Sequence, residues 1–241
     1  MSKATELSEV EVNMRRRERR TFLLATSFGF LMFLCVYACL PNAGPVFRIF
    51  TNPSGSMLPS VQAGSYSLVS RASYGYSRYS FEWWQLPISG RWPALVPQRG
   101  DVVVFLLPRD RKTYYLKRVV GLPGDRIQMI EGRLSINGQL VQLEAIAMDG
   151  PISGEATGGP RSYRETLPAG ASYLTLKGGG TDGPSNNTEA FVVPPGNLFV
   201  LGDNRDNSSD SRHQHPAYGV GFVPVELVIG RVLATFGGDP G

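Results

Sequence analysis

The sequence predicts a mainly β protein: an antiparallel β core carrying a smaller β insertion, preceded by one N-terminal transmembrane helix. Three observations predict it. Short apolar runs rich in β-branched and aromatic residues recur at 66–69, 101–107, 114–120, 126–130, 133–136, 172–176, 198–201 and 228–236, each of strand length. Glycine and proline separate them, and no long amphipathic helix appears among them. Ahead of them all, Thr21–Leu40 carries no charge.

The N-terminal elements come first. About twenty uncharged residues cross about 30 Å of hydrocarbon as a helix. The segment 1–20 ends in Met14-Arg15-Arg16-Arg17-Glu18-Arg19-Arg20, and arginines flanking a span stay on the cytoplasmic side. The expectation is a basic cytoplasmic tail over 1–20, a span over 21–40 and an extracytoplasmic remainder, in the inner (plasma) membrane. A cleaved secretory signal is the competing reading; Val36-Tyr37-Ala38-Cys39 loosely resembles a lipoprotein cleavage site, with a bulky Tyr37 against it. Cys35 and Cys39 lie inside the span, four apart and so on one helical face, as small apolar residues. No other cysteine occurs, so no disulfide staples the exported part.

Next comes Asn52-Pro53-Ser54-Gly55-Ser56-Met57-Leu58-Pro59. Prolines fix φ on both sides and glycine frees the middle, so this is a shaped loop able to present one hydroxyl at a set angle. A serine needs a base. His213 and His215 are the only histidines, and a Ser–His–Asp arrangement would use one of them with Asp206 or Asp210; a polar surface loop is the plainer reading. The other documented partner is a lysine that has lost its proton. Lys117 lies in the strand-like run Tyr114–Val120, sharing a face with Tyr115 and Val119. Burial there would lower its pKa, whereas an arginine such as Arg118 stays protonated. An exposed lysine on an edge strand fits the same pattern.

Four segments, in order, resemble the type I (leader) signal peptidases, membrane-bound serine proteases with a Ser–Lys dyad. They are Pro53–Pro59, Arg99–Phe105, Lys117–Asp125 and Gly202–Arg212, followed by Gly221-Phe222-Val223-Pro224 and Gly230-Arg231. The resemblance implies Ser56 as nucleophile and Lys117 as general base, with the Ser56 N–H and the Ser54 hydroxyl as oxyanion hole. It implies that Ser208 hydrogen-bonds Lys117, that Asp210 and Arg212 form a supporting ion pair, and that Asn52, Pro53, Met57, Tyr115 and Leu116 border the substrate cleft. It implies no metal and no cofactor; the carboxylates of 203–210 suit turns, and they lack a recognisable calcium-loop spacing. The implied activity is removal of signal peptides from exported preproteins, after small residues one and three before the cut, beside the secretion machinery. Departures are Ser60-Val61 after Pro59, Asn52 where an apolar residue often lines the cleft, and a longer His213–Gly219 segment.

The β region is expected to divide into a catalytic core, 47–137 and 196–237, and an insertion over 138–195, whose stretches 150–160 and 178–187 are poor in apolar residues. Residues 73–92 are unusually aromatic, with Tyr74, Tyr76, Tyr79, Phe81, Trp83, Trp84 and Trp92. They are expected either to lean on the lipid bilayer or to form a half-buried hairpin. The net charge of +4 is half accounted for by the first twenty residues, and no basic–aromatic stripe points to nucleic acid. A histidine-dependent hydrolase, a self-cleaving Ser–Lys repressor and a tethered peptide-binding β domain are the rival classes; the membrane anchor argues against the repressor.

Overall fold

A computed structural model describes residues 3–39, 45–81, 86–146, 161–168, 170–178 and 185–238. α1 (Lys3–Cys39) is one helix of 37 residues. It starts well before the uncharged run, so the basic segment is itself helical from Lys3 onward; Lys, Arg and Glu are good helix formers. Residues 19–37 are long and apolar enough to cross a membrane, and none of them is buried within the chain. Leu40 and the Cys39 side chain lie outside what the structure describes; Cys35 is exposed.

The strands are β1 (Phe47–Asn52), β2 (Ser65–Ser70), β3 (Tyr76–Ser77), β4 (Arg91–Trp92), β5 (Val102–Leu106), β6 (Tyr114–Gly121), β7 (Arg126–Ile130), β8 (Arg133–Ile136), β9 (Gln139–Leu140), β10 (Gln142–Ala145), β11 (Arg161–Thr166), β12 (Ser172–Lys177), β13 (Phe191–Val192), β14 (Asn197–Leu201), β15 (Val223–Pro224) and β16 (Val228–Phe236). The main sheet has the order β1-β2-β16-β5-β6-β14-β15, antiparallel throughout. β16 therefore joins the β1–β2 pair to the β5–β6 pair.

The continuous apolar run of β5 reflects burial on both faces. Val103 and Phe105 enter one core with Val119, Leu198 and Val200, while Val104 and Leu106 enter another with Val69, Leu227 and Ile229. Gly230 of β16 is required by a close approach, since a Cβ there would stand 2.2 Å from the Ser70 carbonyl oxygen.

β13-β7-β8-β9 form a second sheet and β10-β11-β12 a third. The expected division between 137 and 138 falls inside the second sheet. Asn137 and Gly138, both at positive φ (54° and 81°), form the tight turn that pairs β8 with β9, Ser135 opposite Leu140. The Asn-Gly pair marks a hairpin here, not a boundary. One core runs from Ile127, Met129 and Leu134 through Leu167 and Tyr173 to Val120, Phe199 and Leu201 of the main sheet. The stretch 150–160 lies outside the described residues, as does most of 178–187.

Candidate active site

β1 is an edge strand of the main sheet, and past its end the chain turns sharply. Pro53 leads to Ser54, which caps a one-turn 3₁₀ helix, Gly55–Met57, in extended conformation (φ −110°, ψ 142°). The Ser54 Oγ accepts the Ser56 N–H at 3.2 Å. The turn holds Ser56 8% exposed at the floor of a cleft.

Lys117 comes from β6, opposite Val103 of β5. Its Nζ lies 2.6 Å from Ser56 Oγ and 5.6 Å from the centre of the Tyr115 ring. The side chain is 3% exposed. Burial pushes its amine down to about 8, against the opposing pull of the Asp210 and Asp203 carboxylates. At pH 7 about a tenth of such an amine is free to accept a proton, far more than at an ordinary lysine.

The third component is the loop 202–212. Asn204 holds the Ser56 turn from behind: its backbone N–H donates to the Ser56 carbonyl at 3.1 Å, and its side-chain amide to the Gly55 carbonyl at 3.1 Å. Gly202 lets the loop come this close. A Cβ there would stand 2.6 Å from the Ser56 carbonyl oxygen and closer still to Ser208 Oγ. Asp210 grips Arg212 through two hydrogen bonds and also accepts the Gly202 N–H at 3.0 Å. Burial alone would raise the Asp210 carboxyl, but the Arg212 guanidinium holds it below its ordinary value. Arg212 extends to the Arg205 carbonyl at 2.6 Å.

Ser208 differs from expectation. Its Oγ is buried and makes no hydrogen bond to Lys117 or to any other group among the described residues. It is wedged over Gly202, near enough to the Asp210 carboxylate to help hold it ionised without reaching hydrogen-bond geometry. Asn52 is buried too, with its amide turned onto Ser65 Oγ (3.0 Å) and Ser67 Oγ (2.9 Å) of β2. The Ser67 hydroxyl also reaches Asn52 Oδ1 at 3.2 Å, so the residue brings less polarity to the cleft than its type suggests.

The cleft has a volume of about 400 Å³ and is lined by Asn52, Pro53 and Met57 on one wall and by Tyr115, Leu116 and Lys117 on the other, with Tyr114 and Phe50 farther along. The two walls come from β1 and from the start of β6. β1 ends the sheet, and β14 pairs with β6 only from Arg118 onward.

The histidine alternative is not assembled. His213 Nε2 faces Ser185 Oγ at 3.3 Å, and His215 stacks on Tyr218. The loop carboxylates have partners of their own: Asp203 pairs with Arg118, Asp210 with Arg212, and Asp206 accepts the Gly178 N–H. Within 73–92, Trp83 and Trp84 lie outside the described residues. The described remainder closes as a small antiparallel pair, β3 with β4, with Tyr76 stacked on Phe81, Tyr74 buried and Trp92 76% exposed.

Sequence reasoning missed a buried ionic cluster beside the site. Arg118 clamps Asp203 through Nε and Nη2, at 2.8 and 2.6 Å. Its guanidinium lies 3.9 Å over the Tyr173 ring. Arg205 clamps Glu165 at 2.8 and 2.5 Å, and the Tyr173 hydroxyl donates to Glu165. Asp203, Asn204 and Arg205 stood in a recognised motif without roles of their own. Glu165 and Tyr173 carried no local signal, because their partnership follows from the register of β11 on β12.

Residues 25–236 match the family described as signal peptidase, peptidase S26. A signal peptidase I of Rickettsia canadensis is 39% identical over 193 residues, 77% of this chain and 70% of that protein. Its counterpart from Rickettsia typhi is 40% identical over the same shares. A solved signal peptidase I from Enterococcus faecalis, 28% identical, covers 57% of this chain and 97% of its own at a TM-score of 0.33.

Proposed function

This chain belongs to the signal peptidase family of S26 peptidases, serine hydrolases that remove signal peptides from preproteins, and we propose that Ser56 and Lys117 form its catalytic dyad. One observation carries the assignment: an amine with depressed pKa lies 2.6 Å from a serine hydroxyl at the floor of a cleft.

The preprotein enters extended between β1 and the part of β6 that precedes Arg118, and pairs with strand backbone on the cleft walls. Pockets at alternate positions take small residues one and three before the cut. Ser56 Oγ attacks the scissile carbonyl carbon while its proton passes to the neutral Lys117 Nζ. The developing oxyanion takes hydrogen bonds from the Ser56 N–H and from the Ser54 hydroxyl, which turns from accepting that N–H to donating. The tetrahedral intermediate collapses and the C–N bond breaks. The Lys117 ammonium gives its proton to the leaving amine, the new N-terminus of the mature protein. Lys117 then takes a proton from water, whose oxygen attacks the acyl ester, and Ser56 leaves with the proton restored. Asp210 and Arg212 hold the 202–212 loop against the dyad.

The anchor is α1, with its arginines on the cytoplasmic face and the β domain outside, next to the secretion machinery. The uncharged stretch and the arginine block ahead of it support this orientation.

Cleavage of a test preprotein by the wild type, Ser56→Ala and Lys117→Ala decides the dyad. Both variants are expected to lose about 10⁴-fold or more in kcat, as serine hydrolases do when nucleophile or base is removed. Lys117→Ala retaining wild-type cleavage would overturn it, as would loss of activity in the double variant His213→Ala/His215→Ala.

A further inference from the structure

We infer that Glu165 and Tyr173, on the β11–β12 hairpin, are positioning residues for cleavage, acting through the segment 203–205 on the turn that carries Ser56. The inference rests on the assignment of Ser56 and Lys117 above.

The two residues stand directly opposite each other across β11 and β12, and both are buried. The Tyr173 hydroxyl donates to Glu165 at 2.5 Å, and both Glu165 oxygens are taken by Arg205. The Tyr173 ring supports Arg118 from below, and Arg118 holds Asp203. Glu165 and Tyr173 thus reach residues 203 and 205, which flank Asn204. β12 also runs alongside this segment: the Leu176 N–H donates to the Asp203 carbonyl, and the Arg205 N–H to the Leu176 carbonyl, each at 2.9 Å.

Residues 203 and 205 point to the ionic cluster. Asn204, between them, points to the nucleophile turn and holds the Gly55 and Ser56 carbonyls. The cluster balances two carboxylates against two guanidiniums in a buried setting. Such clusters add little to stability compared with apolar packing, and their attested use is to fix one geometry among several. Here the fixed geometry is the seat of the nucleophile. A serine displaced by a fraction of an ångström loses alignment with its base while the cleft walls, and hence substrate binding, are untouched.

The test uses the full chain in detergent with a test preprotein, reading kcat, KM and thermal unfolding. Glu165→Gln is expected to lower kcat about 30-fold and Tyr173→Phe about fivefold, with KM changed less than about twofold. Each is combined with Asn204→Ala. If they act through one segment, each double variant falls no more than about twofold below Asn204→Ala alone. Folded variants with kcat within about twofold of wild type, or losses that multiply in the double variants, overturn the inference. If Glu165→Gln does not fold, the Tyr173→Phe cycle decides. If neither folds, the pair is architectural and the inference fails. Ser56→Ala and Lys117→Ala run in the same series: activity in these sinks the dyad assignment, whereas their inactivity beside a fully active Glu165→Gln sinks only the inference about the hairpin.

Discussion

Asp210 and Arg212 meet through two parallel hydrogen bonds of 2.8 and 2.9 Å, with both side chains almost wholly out of solvent. Removing one partner strands the other. Arg212→Met is expected to destabilise the protein by about 3–5 kcal/mol, a fall of roughly 10 °C in Tm for a domain of this size. Thermal unfolding of this variant beside Asp210→Asn/Arg212→Met checks it, because the double variant leaves no buried charge and recovers part of the loss.

With Lys117 as the proposed base, activity is expected to follow its free amine. With the amine held at about 8, kcat/KM is expected to rise with pH along a single-proton limb centred near that value. Of the charges acting on the lysine, Asp210 exerts the strongest upward pull. Neutralising it removes a stabiliser of the ammonium, so Asp210→Asn moves the limb to lower pH. A pH–rate series on both proteins reads the sign directly.

The depressed lysine also burdens the fold. Unfolded, its pKa is the ordinary 10.5; folded, it is about 8. Below about 8 the amine is protonated in both states, and the folded state bears the whole penalty, about 3 kcal/mol. Between 8 and 10.5 the unfolded chain binds the extra proton, so stability recovers as pH rises. Lys117→Met is expected to abolish cleavage and to raise stability at pH 7 by about 2–3 kcal/mol, a gain that shrinks toward pH 10. Denaturant unfolding at the two pH values measures it.

Gly202→Ala inserts a methyl group where the Ser56 carbonyl and the Ser208 hydroxyl already sit. The loop must retreat from the Ser56 turn and weaken the Asn204 hydrogen bonds. The expected result is a loss of about 100-fold in kcat with KM nearly unchanged, read in the same cleavage assay.

The elements that could be read in advance were those whose causes are local. A Pro-flanked Ser-Gly-Ser turn and a lysine inside a β-branched run announce themselves within a few residues, and so does β5, whose burial on both faces demands an unbroken apolar stretch. β1 escaped notice because Phe47–Asn52 mixes Arg48, Thr51 and Asn52 into a short edge strand. The expected division at 137/138 rests on a change of composition, whereas the Asn137-Gly138 dipeptide suits a hairpin, and the pairing of Ser135 with Leu140 shows that hairpin. The hydrogen bond expected of Ser208 depends on side-chain direction, which no sequence pattern specifies. Glu165 and Tyr173 had no signal at all. Their meaning arises when β12 lies beside residues 203–205, a long-range packing event.

The strand order β1-β2-β16-β5-β6 has a consequence for biogenesis. The serine-bearing pair and the lysine-bearing pair are stitched together by a strand that follows the other described strands in sequence. During synthesis the two halves can each form a hairpin, yet they have no shared backbone ladder until residue 236 has emerged. The serine and the lysine are therefore expected to meet only when one late ribbon inserts into a waiting gap.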